Sequence, residues 1–241
     1  MPELTVVIPC YNEASRLPRL FDLVRANRAL DWEWLFVDDG STDDTASLVQ
    51  ALVAEIPDKV ALHALPANCG KGRAVREGLL RARGDLVGFV DADLAASPLD
   101  FRPFLQNDEL HAGRCVIIGI RLKTHDGRVR RHLHRHLMGR VFQTLVSTVS
   151  GLNCYDTQCG FKLLSRDRAR ELAGHLRCDG FCFDVELLLL ADRLGLRIVE
   201  YLIQWEEQGH SRVRPWHIVQ MFFDIWRIRS RVDASFPPPR G

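Results

Sequence analysis

In this 241-residue chain, the stretch "LVGFVDADLAASP" ends an apolar run at two acids, Asp91 and Asp93, separated by one small residue. In an extended segment residues i and i+2 point the same way, so both carboxylates can converge on one point. Held together, each raises the pKa of the other unless a cation neutralises them. Oxygen donors of this kind suit Mg²⁺ or Mn²⁺, which keep waters and take their remaining ligands from substrate phosphates. Two acids so spaced are common in solvated loops. The position directly after a buried strand is what gives this pair weight.

"VDDGSTDDT" has a second logic. Gly40 permits a sharp turn, and Ser41 or Thr42 is expected to cap the helix that follows. A turn and a cap account for Gly40 to Asp43 without any function. They leave unexplained Asp38 and Asp39, whose carboxylates can accept hydrogen bonds from a base or a ribose. "NCGKGRAVREG" puts Gly70, Lys71 and Gly72 at a helix start, a natural place for contact with phosphate. The spacing is neither that of a Walker A loop nor that of a Rossmann glycine fingerprint, which argues against a nucleotide triphosphatase or a nicotinamide enzyme.

These groups need strands and helices to hold them. "LTVVIP", "WLFVD", "VALHAL", "LVGFVD" and "CVIIGI" read as strands buried on both faces. "RLPRLFDLVRAN", "DDTASLVQALVAEI" and "KGRAVREGLLRARG" read as the helices between them, the last stopping at Gly84. Strand and helix in alternation predict right-handed crossovers and a parallel sheet, with ligands beyond the carboxyl ends of its strands. Three such ends are polar here: "PCYNE", "VDDGSTDDT" and "VDADLAASP". Later come "DTQCGFKLLS", a helix "FDVELLLLADRLG", a strand "LRIVEYLI" and an apolar helix "PWHIVQMFFDIWRI". With no repeat or linker, residues 1–231 are expected to form one domain, its second half (121–231) packing onto the sheet of the first (1–120). Residues 232–241 are expected to be a loose Pro-rich tail.

Bulk composition excludes more than it assigns. Lys+Arg 32 against Asp+Glu 31 leaves a net charge of +1, so any electrostatic message is local. No acid occurs from Gly127 to Tyr155, where Arg128, Arg130, Arg131, Arg135 and Arg140 gather. Without interleaved aromatic residues, that run does not read as a nucleic-acid site. His132, His134 and His136 do not converge on one helix face and are not read as zinc ligands. Seven irregularly spaced cysteines, with no signal-peptide pattern, predict free thiols and a cytoplasmic location. No stretch reaches the ~18 uninterrupted apolar residues of a membrane span.

"VVIPCYNEASRLP", "VDDGSTDDT", "NCGKGRAVREGLLRARGDLVGFVDADLA" and "DTQCGFKLLSR…FDVELL" resemble, in this order, family 2 glycosyltransferases of the GT-A fold. Within that family the chain looks most like the polyprenyl-phosphate branch, dolichyl-phosphate glucosyltransferases in particular, over roughly Leu4 to Arg231. The resemblance implies an α/β fold, a mostly parallel sheet flanked by helices. It implies that Pro9, Tyr11, Glu13, Asp38 and Asp39 hold the nucleoside, with Lys71 near it. Asp91, Ala92 and Asp93 would bracket the diphosphate and its Mg²⁺ or Mn²⁺, with Asp93 the direct metal ligand. Arg121, Arg131 and Arg135 would receive the acceptor phosphate, Asp156 and Gln158 would face the sugar, and Arg212 would close over the donor phosphates. The membrane anchors of many members are not seen in this sequence. It also reads "GFCFDVE" where an aromatic often precedes the last four residues.

The resemblance thus implies an inverting, metal-dependent transfer of a hexose, UDP-glucose being the favoured donor, to a polyprenyl or dolichyl phosphate. A phosphate nucleophile is already ionised and needs no general base. An alcohol acceptor would need one, for which Asp156 is the best candidate. A saccharide or small-alcohol acceptor is the alternative. A sugar nucleotidyltransferase is disfavoured because "PCYNEAS" is not a Gly-rich basic loop, and a catalytically dead sensor because the acids and Gln158 are present. Peripheral contact with the cytoplasmic membrane face is expected from the last helix. There His217, Gln220, Asp224 and Arg227 make a narrow polar stripe among apolar residues, a pattern that fits either burial or a lipid interface.

Overall fold

The structure, a computed structural model, describes residues 1–121, 151–152, 154–205 and 215–236, with residues 215–222 described by backbone alone. The strands are β1 (Leu4–Cys10), β2 (Trp32–Asp38), β3 (Val60–Ala64), β4 (Leu86–Val90), β5 (Cys115–Arg121), β6 (Phe161–Ser165) and β7 (Arg197–Ile203). They form one sheet in the order β3-β2-β1-β4-β6-β5-β7. All pairings are parallel except those of β6, which runs against both β4 and β5. Crossovers are carried by α1 (Leu17–Ala26), α2 (Thr45–Glu55) and α3 (Lys71–Arg81). A 3₁₀ turn (Pro98–Phe104) and a short α4 (Asp108–His111) precede β5, and α5 (Arg166–His175), α6 (Phe183–Arg193) and α7 (Pro215–Ser235) follow β6.

Side chains alternate across the central strands as period-two geometry requires. Leu4, Val6 and Ile8 of β1 join Trp34, Phe36, Leu86 and Val90 against α1 and α2. Val7 joins Leu35, Val37, Val87, Phe89 and Ile118 on the other face, where α3, α5, α6 and α7 pack. In α1 the buried residues Leu17, Leu20, Phe21 and Val24 keep helical spacing. Helix α3 lies close on β1: a Cβ at Gly78 would collide with Val7 Cγ1.

Several sequence expectations change. "VALHAL" is not buried on both faces, because β3 is an edge strand in which only Val60 is buried. Helix α3 ends at Arg81, not Gly84. Gly84 instead lies where the chain crosses β1, and a Cβ there would strike the Thr5 backbone. Neither Ser41 nor Thr42 caps α2. Asp43 Oδ1 accepts from Thr45 N at 3.0 Å and from Thr45 Oγ1 at 2.6 Å, while Ser41 bonds to Asp38. The segment from 232 is not a loose tail at its start. Helix α7 runs to Ser235, Val232 is buried, and Asp233 pairs with Arg193 at 2.7 Å.

The last helix has both buried and exposed apolar residues among its described side chains. Ile225, Ile228 and Val232 are buried against α6, whereas Phe223 and Trp226 are 55% and 63% exposed.

Candidate active site

The polar ends of β1, β2 and β4 meet at the carboxyl edge of the sheet. Pro9 is buried in β1 beside Val37 of β2. Asn12, at φ 50°, ties the next turn down: its N–H donates to Ser41 Oγ at 2.9 Å and its Oδ1 accepts from Thr42 N at 2.8 Å. Tyr11 is half-buried in that turn. Glu13 is buried, pairs with Arg16 at 2.9 Å, and its N–H donates to Thr45 Oγ1 at 2.8 Å.

Asp38 and Asp39 are both 3% exposed. Asp38 accepts from Ser41 N at 3.1 Å and bonds to its hydroxyl. Gly40, at φ +66°, makes the turn, and a Cβ there would collide with Ala67. Asp39 accepts from Cys69 N and Gly70 N, each at 2.8 Å, one to each oxygen. Both acids therefore bond to the chain's own turns, contacts that were not foreseen from the sequence. Burial pushes the Asp39 carboxyl up against the opposing effect of those two amides. The bonds fix the start of α3, and with it Lys71.

The two acids after β4 stand in a turn, not in the extended segment assumed from the sequence. They lie near enough for the charge of Asp91 to act on Asp93. Lys71 Nζ lies 2.6 Å from Asp91 Oδ1, and Asp93 Oδ1 accepts from Ala95 N at 3.0 Å. Burial raises the Asp93 carboxyl and the charge of Asp91 raises it further, while Arg16 and Lys71 pull it down. For Lys71, burial opposes the charge but is outweighed by Asp91 and Asp184, so its pKa is raised. Ala92 is buried between the acids.

The second half of the chain approaches the same edge. Arg121, at the end of β5, lies over the Trp205 ring at 5.0 Å and forks onto Asp156, at 2.5 Å from Nε and 2.8 Å from Nη2. Trp205 bridges to Ala96 of the "DADLAAS" turn, which brings the two sides into contact. Asp156 is thus held by Arg121, an ion pair not foreseen from the sequence. Gln158 is half-buried in the next turn. Arg131, Arg135 and Arg212, with His132, His134 and His136, lie outside the described residues.

Sequence reasoning missed the groups behind this surface. Lys162 is buried with Asp184 at 2.5 Å. Glu186 Oε2 accepts from Arg177 N at 3.0 Å and Cys178 N at 2.7 Å, and its other oxygen pairs with Arg231 of α7. The loop so held gives Asp179 O to Gly72 N at 2.8 Å, steadying the start of α3. A lysine inside the apolar run "GFKLLS" and two acids in "FDVELL" were the available signals. Arg16 and Trp205 carried none beyond composition. All seven cysteines are free: Cys69 is exposed, Cys154 and Cys178 are half-buried, and burial raises the Cys154 thiol to about 11 and Cys159 to about 12.

Among the described residues no group of three or more His, Cys, Asp or Glu side chains is placed to hold a metal ion. The chemistry of the pair nevertheless fits one. Asp91 and Asp93 offer oxygen donors, and Asp93 is a partly buried carboxylate destabilised by its neighbour, a situation a divalent cation relieves. Further ligands would have to come from phosphates and water.

A doubly wound sheet with one reversed strand and acids at its carboxyl edge is the arrangement of the GT-A fold. Among solved structures, it is similar to glucosyl-3-phosphoglycerate synthase from Mycobacterium tuberculosis in complex with Mn²⁺, UDP-glucose and phosphoglyceric acid. The TM-score is 0.65, with 21% identity over 98% of this chain and 81% of that one. The same enzyme with Mg²⁺ and UDP gives 0.64, at 22% identity over 99% and 80%. The model of glycosyl transferase family 2 matches residues 5–173, and the chain belongs to that family. It is 35% identical to a dolichyl-phosphate beta-glucosyltransferase of Dictyostelium discoideum, over 95% of this chain and 74% of that protein. It is 32% identical to the Homo sapiens protein of that name, over 95% and 75%. The chain is therefore a glycosyltransferase.

Proposed function

We propose that this enzyme transfers glucose from UDP-glucose to a polyprenyl or dolichyl phosphate, with inversion at the anomeric carbon. The observation that carries this reading is the similarity, along 95% of the chain, to proteins named dolichyl-phosphate beta-glucosyltransferase. The geometry supports it from both sides. Asp91 and Asp93 would hold a Mg²⁺ or Mn²⁺ against the donor diphosphate, where a divalent cation supplies charge stabilisation for the departing nucleotide. Pro9, Tyr11 and Glu13 would line the nucleoside pocket, whose wall is set by Asp38 and Asp39, and Lys71 and Ala92 would meet the phosphates. Gln158 would face the sugar.

Arg121 would receive the acceptor phosphate, together with Arg131 and Arg135, and Arg212 would close over the donor phosphates. An incoming dianion competes with Asp156 for the Arg121 fork, since Arg binds carboxylate and phosphate in the same bidentate way. The attacking oxygen of a phosphate carries its own charge, so no proton has to be removed. A neutral alcohol would meet Asp156 already engaged by Arg121, which disfavours the alternative acceptors. The exposed Phe223 and Trp226 would rest in a lipid surface beside the acceptor, as a peripheral contact; no helix among the described residues is long and apolar enough to cross a membrane.

A donor panel tests the assignment: UDP-glucose, GDP-mannose and other UDP-sugars, each with polyprenyl phosphate in detergent and Mn²⁺. Organic-extractable label from UDP-glucose well above the other donors is expected. Preferential transfer from GDP-mannose would overturn the donor assignment.

A further inference from the structure

Lys162 has no exposed surface. It is the second residue of β6, opposite Phe89 of β4 and Ile118 of β5. Removing an ammonium from water is costly unless charge and hydrogen bonds compensate. Here each of its three protons has an acceptor. Asp184 Oδ1 lies at 2.5 Å, Cys159 O at 2.9 Å and Thr157 O at 3.1 Å, and the Phe89 ring stands 5.2 Å away.

The identity of those acceptors is informative. The two carbonyls flank Gln158, so the ammonium closes the turn that presents that side chain. Two residues on, Gly160 lies against the Asp91 carboxylate, and a Cβ at 160 would collide with its Oδ2. Asp184, on the first turn of α6, acts on Lys71 as well, and Lys71 holds Asp91. One short arc, 157–160, therefore carries Gln158, receives Asp91, and is shaped by a buried charge. A pair needed only for stability has no reason to be ionic, because well-packed apolar replacements of buried ion pairs are often neutral or stabilising.

We propose that Lys162, held by Asp184, is a positioning residue for the donor site. It fixes the 157–160 arc so that Gln158 and the Asp91 carboxylate are both set toward the bound nucleotide sugar. This rests on the reading of Asp91 and Gln158 as donor-site groups.

The test removes both charges at once, so that neither is left buried alone. Lys162→Met/Asp184→Leu is expected to melt within about 4 °C of the unaltered enzyme. Its kcat should fall about 10- to 100-fold, the range typical of groups that orient a site from behind. Its Kd for UDP with Mn²⁺, read by calorimetry, should rise several-fold. Lys162→Arg, which keeps the charge, should recover part of the loss. A folded double variant with kcat and UDP affinity both unchanged would overturn the proposal. Should that variant not fold, Gly160→Ala decides. It leaves the ion pair in place and pushes on Asp91, so it should lose UDP–Mn²⁺ affinity and rate, and full retention of both would refute the arc's role. Calorimetry needs no acceptor. An enzyme inactive toward lipid phosphates would thus refute the proposed acceptor while the positioning role is still judged by UDP binding.

Discussion

The Lys71 ammonium stands 2.6 Å from Asp91 Oδ1, so one of the two acids at the end of β4 has a counter-charge built in. Asp93 is bonded instead to the Ala95 amide, and its carboxyl is pushed up by burial and by Asp91. The two acids are thereby unequal. Asp93→Ala is expected to abolish transfer and cation-dependent nucleotide binding with the fold intact. Asp91→Asn should be milder, since an amide oxygen still accepts from Lys71. Full activity of Asp93→Ala, or undiminished activity in excess EDTA, would contradict the metal assignment.

Asp39 acts through the backbone it holds. Losing a hydrogen bond to a charged group typically costs about 1.5–3 kcal/mol, and Asp39 accepts two. Asp39→Ala should raise the nucleotide Kd at least about tenfold, and more than Asp38→Ala, whose bonds stay within its own turn. Equal, small effects of the two substitutions by calorimetry would count against this.

Cys69 provides an independent probe of the same wall. It is the exposed cysteine, and its amide is one of those held by Asp39. Iodoacetamide should label Cys69 first, and saturating UDP with Mn²⁺ should slow that labelling. Labelling at an unchanged rate would place the nucleoside elsewhere.

Helix α7 makes opposite predictions for its two faces. Ile228→Ala should destabilise the protein by about 2–5 kcal/mol, because Ile228 is buried. Phe223→Ser/Trp226→Ser should leave the melting temperature nearly unchanged and reduce co-sedimentation with anionic liposomes. Normal liposome binding by the latter would remove the membrane role. The same helix is anchored by Asp233, whose carboxyl is lowered, first by its hydrogen bond to Arg193 and then by that charge and by Arg229. A lowered carboxyl stabilises above its unfolded pKa, and that contribution is lost as pH falls through the folded value. Amide protection factors at the end of α7 (observed exchange relative to the intrinsic rate at each pH) should therefore fall on acidification, and Asp233→Asn should already lower them at neutral pH.

The central strands could be read from sequence because each is a continuous apolar run with no competing helical period. Strand β6 could not: "FKLLS" is five residues long and contains a lysine whose partners, Asp184 and two carbonyls, are fixed only by the tertiary fold. Helix α5 was missed because "RDRARELAGH" buries only Ala169, Leu172 and Ala173 behind a charged surface. At the site, spacing located Asp91 and Asp93 and the start of α3. It did not reveal that Lys71 pairs with Asp91, or that Arg121 pairs with Asp156 across 35 residues. Contacts of that range depend on sheet order, which single-sequence periodicity does not contain.

The claim on which the account turns is that the acceptor is an ionised phosphate on a lipid carrier. The most direct measurement compares initial rates of transfer from UDP-glucose to polyprenyl phosphate and to the matching free polyprenol, under one detergent condition. The account predicts rapid formation of glucosyl phosphoryl polyprenol and negligible transfer to the alcohol. Preference for the alcohol, or for a soluble saccharide over both lipids, would contradict it.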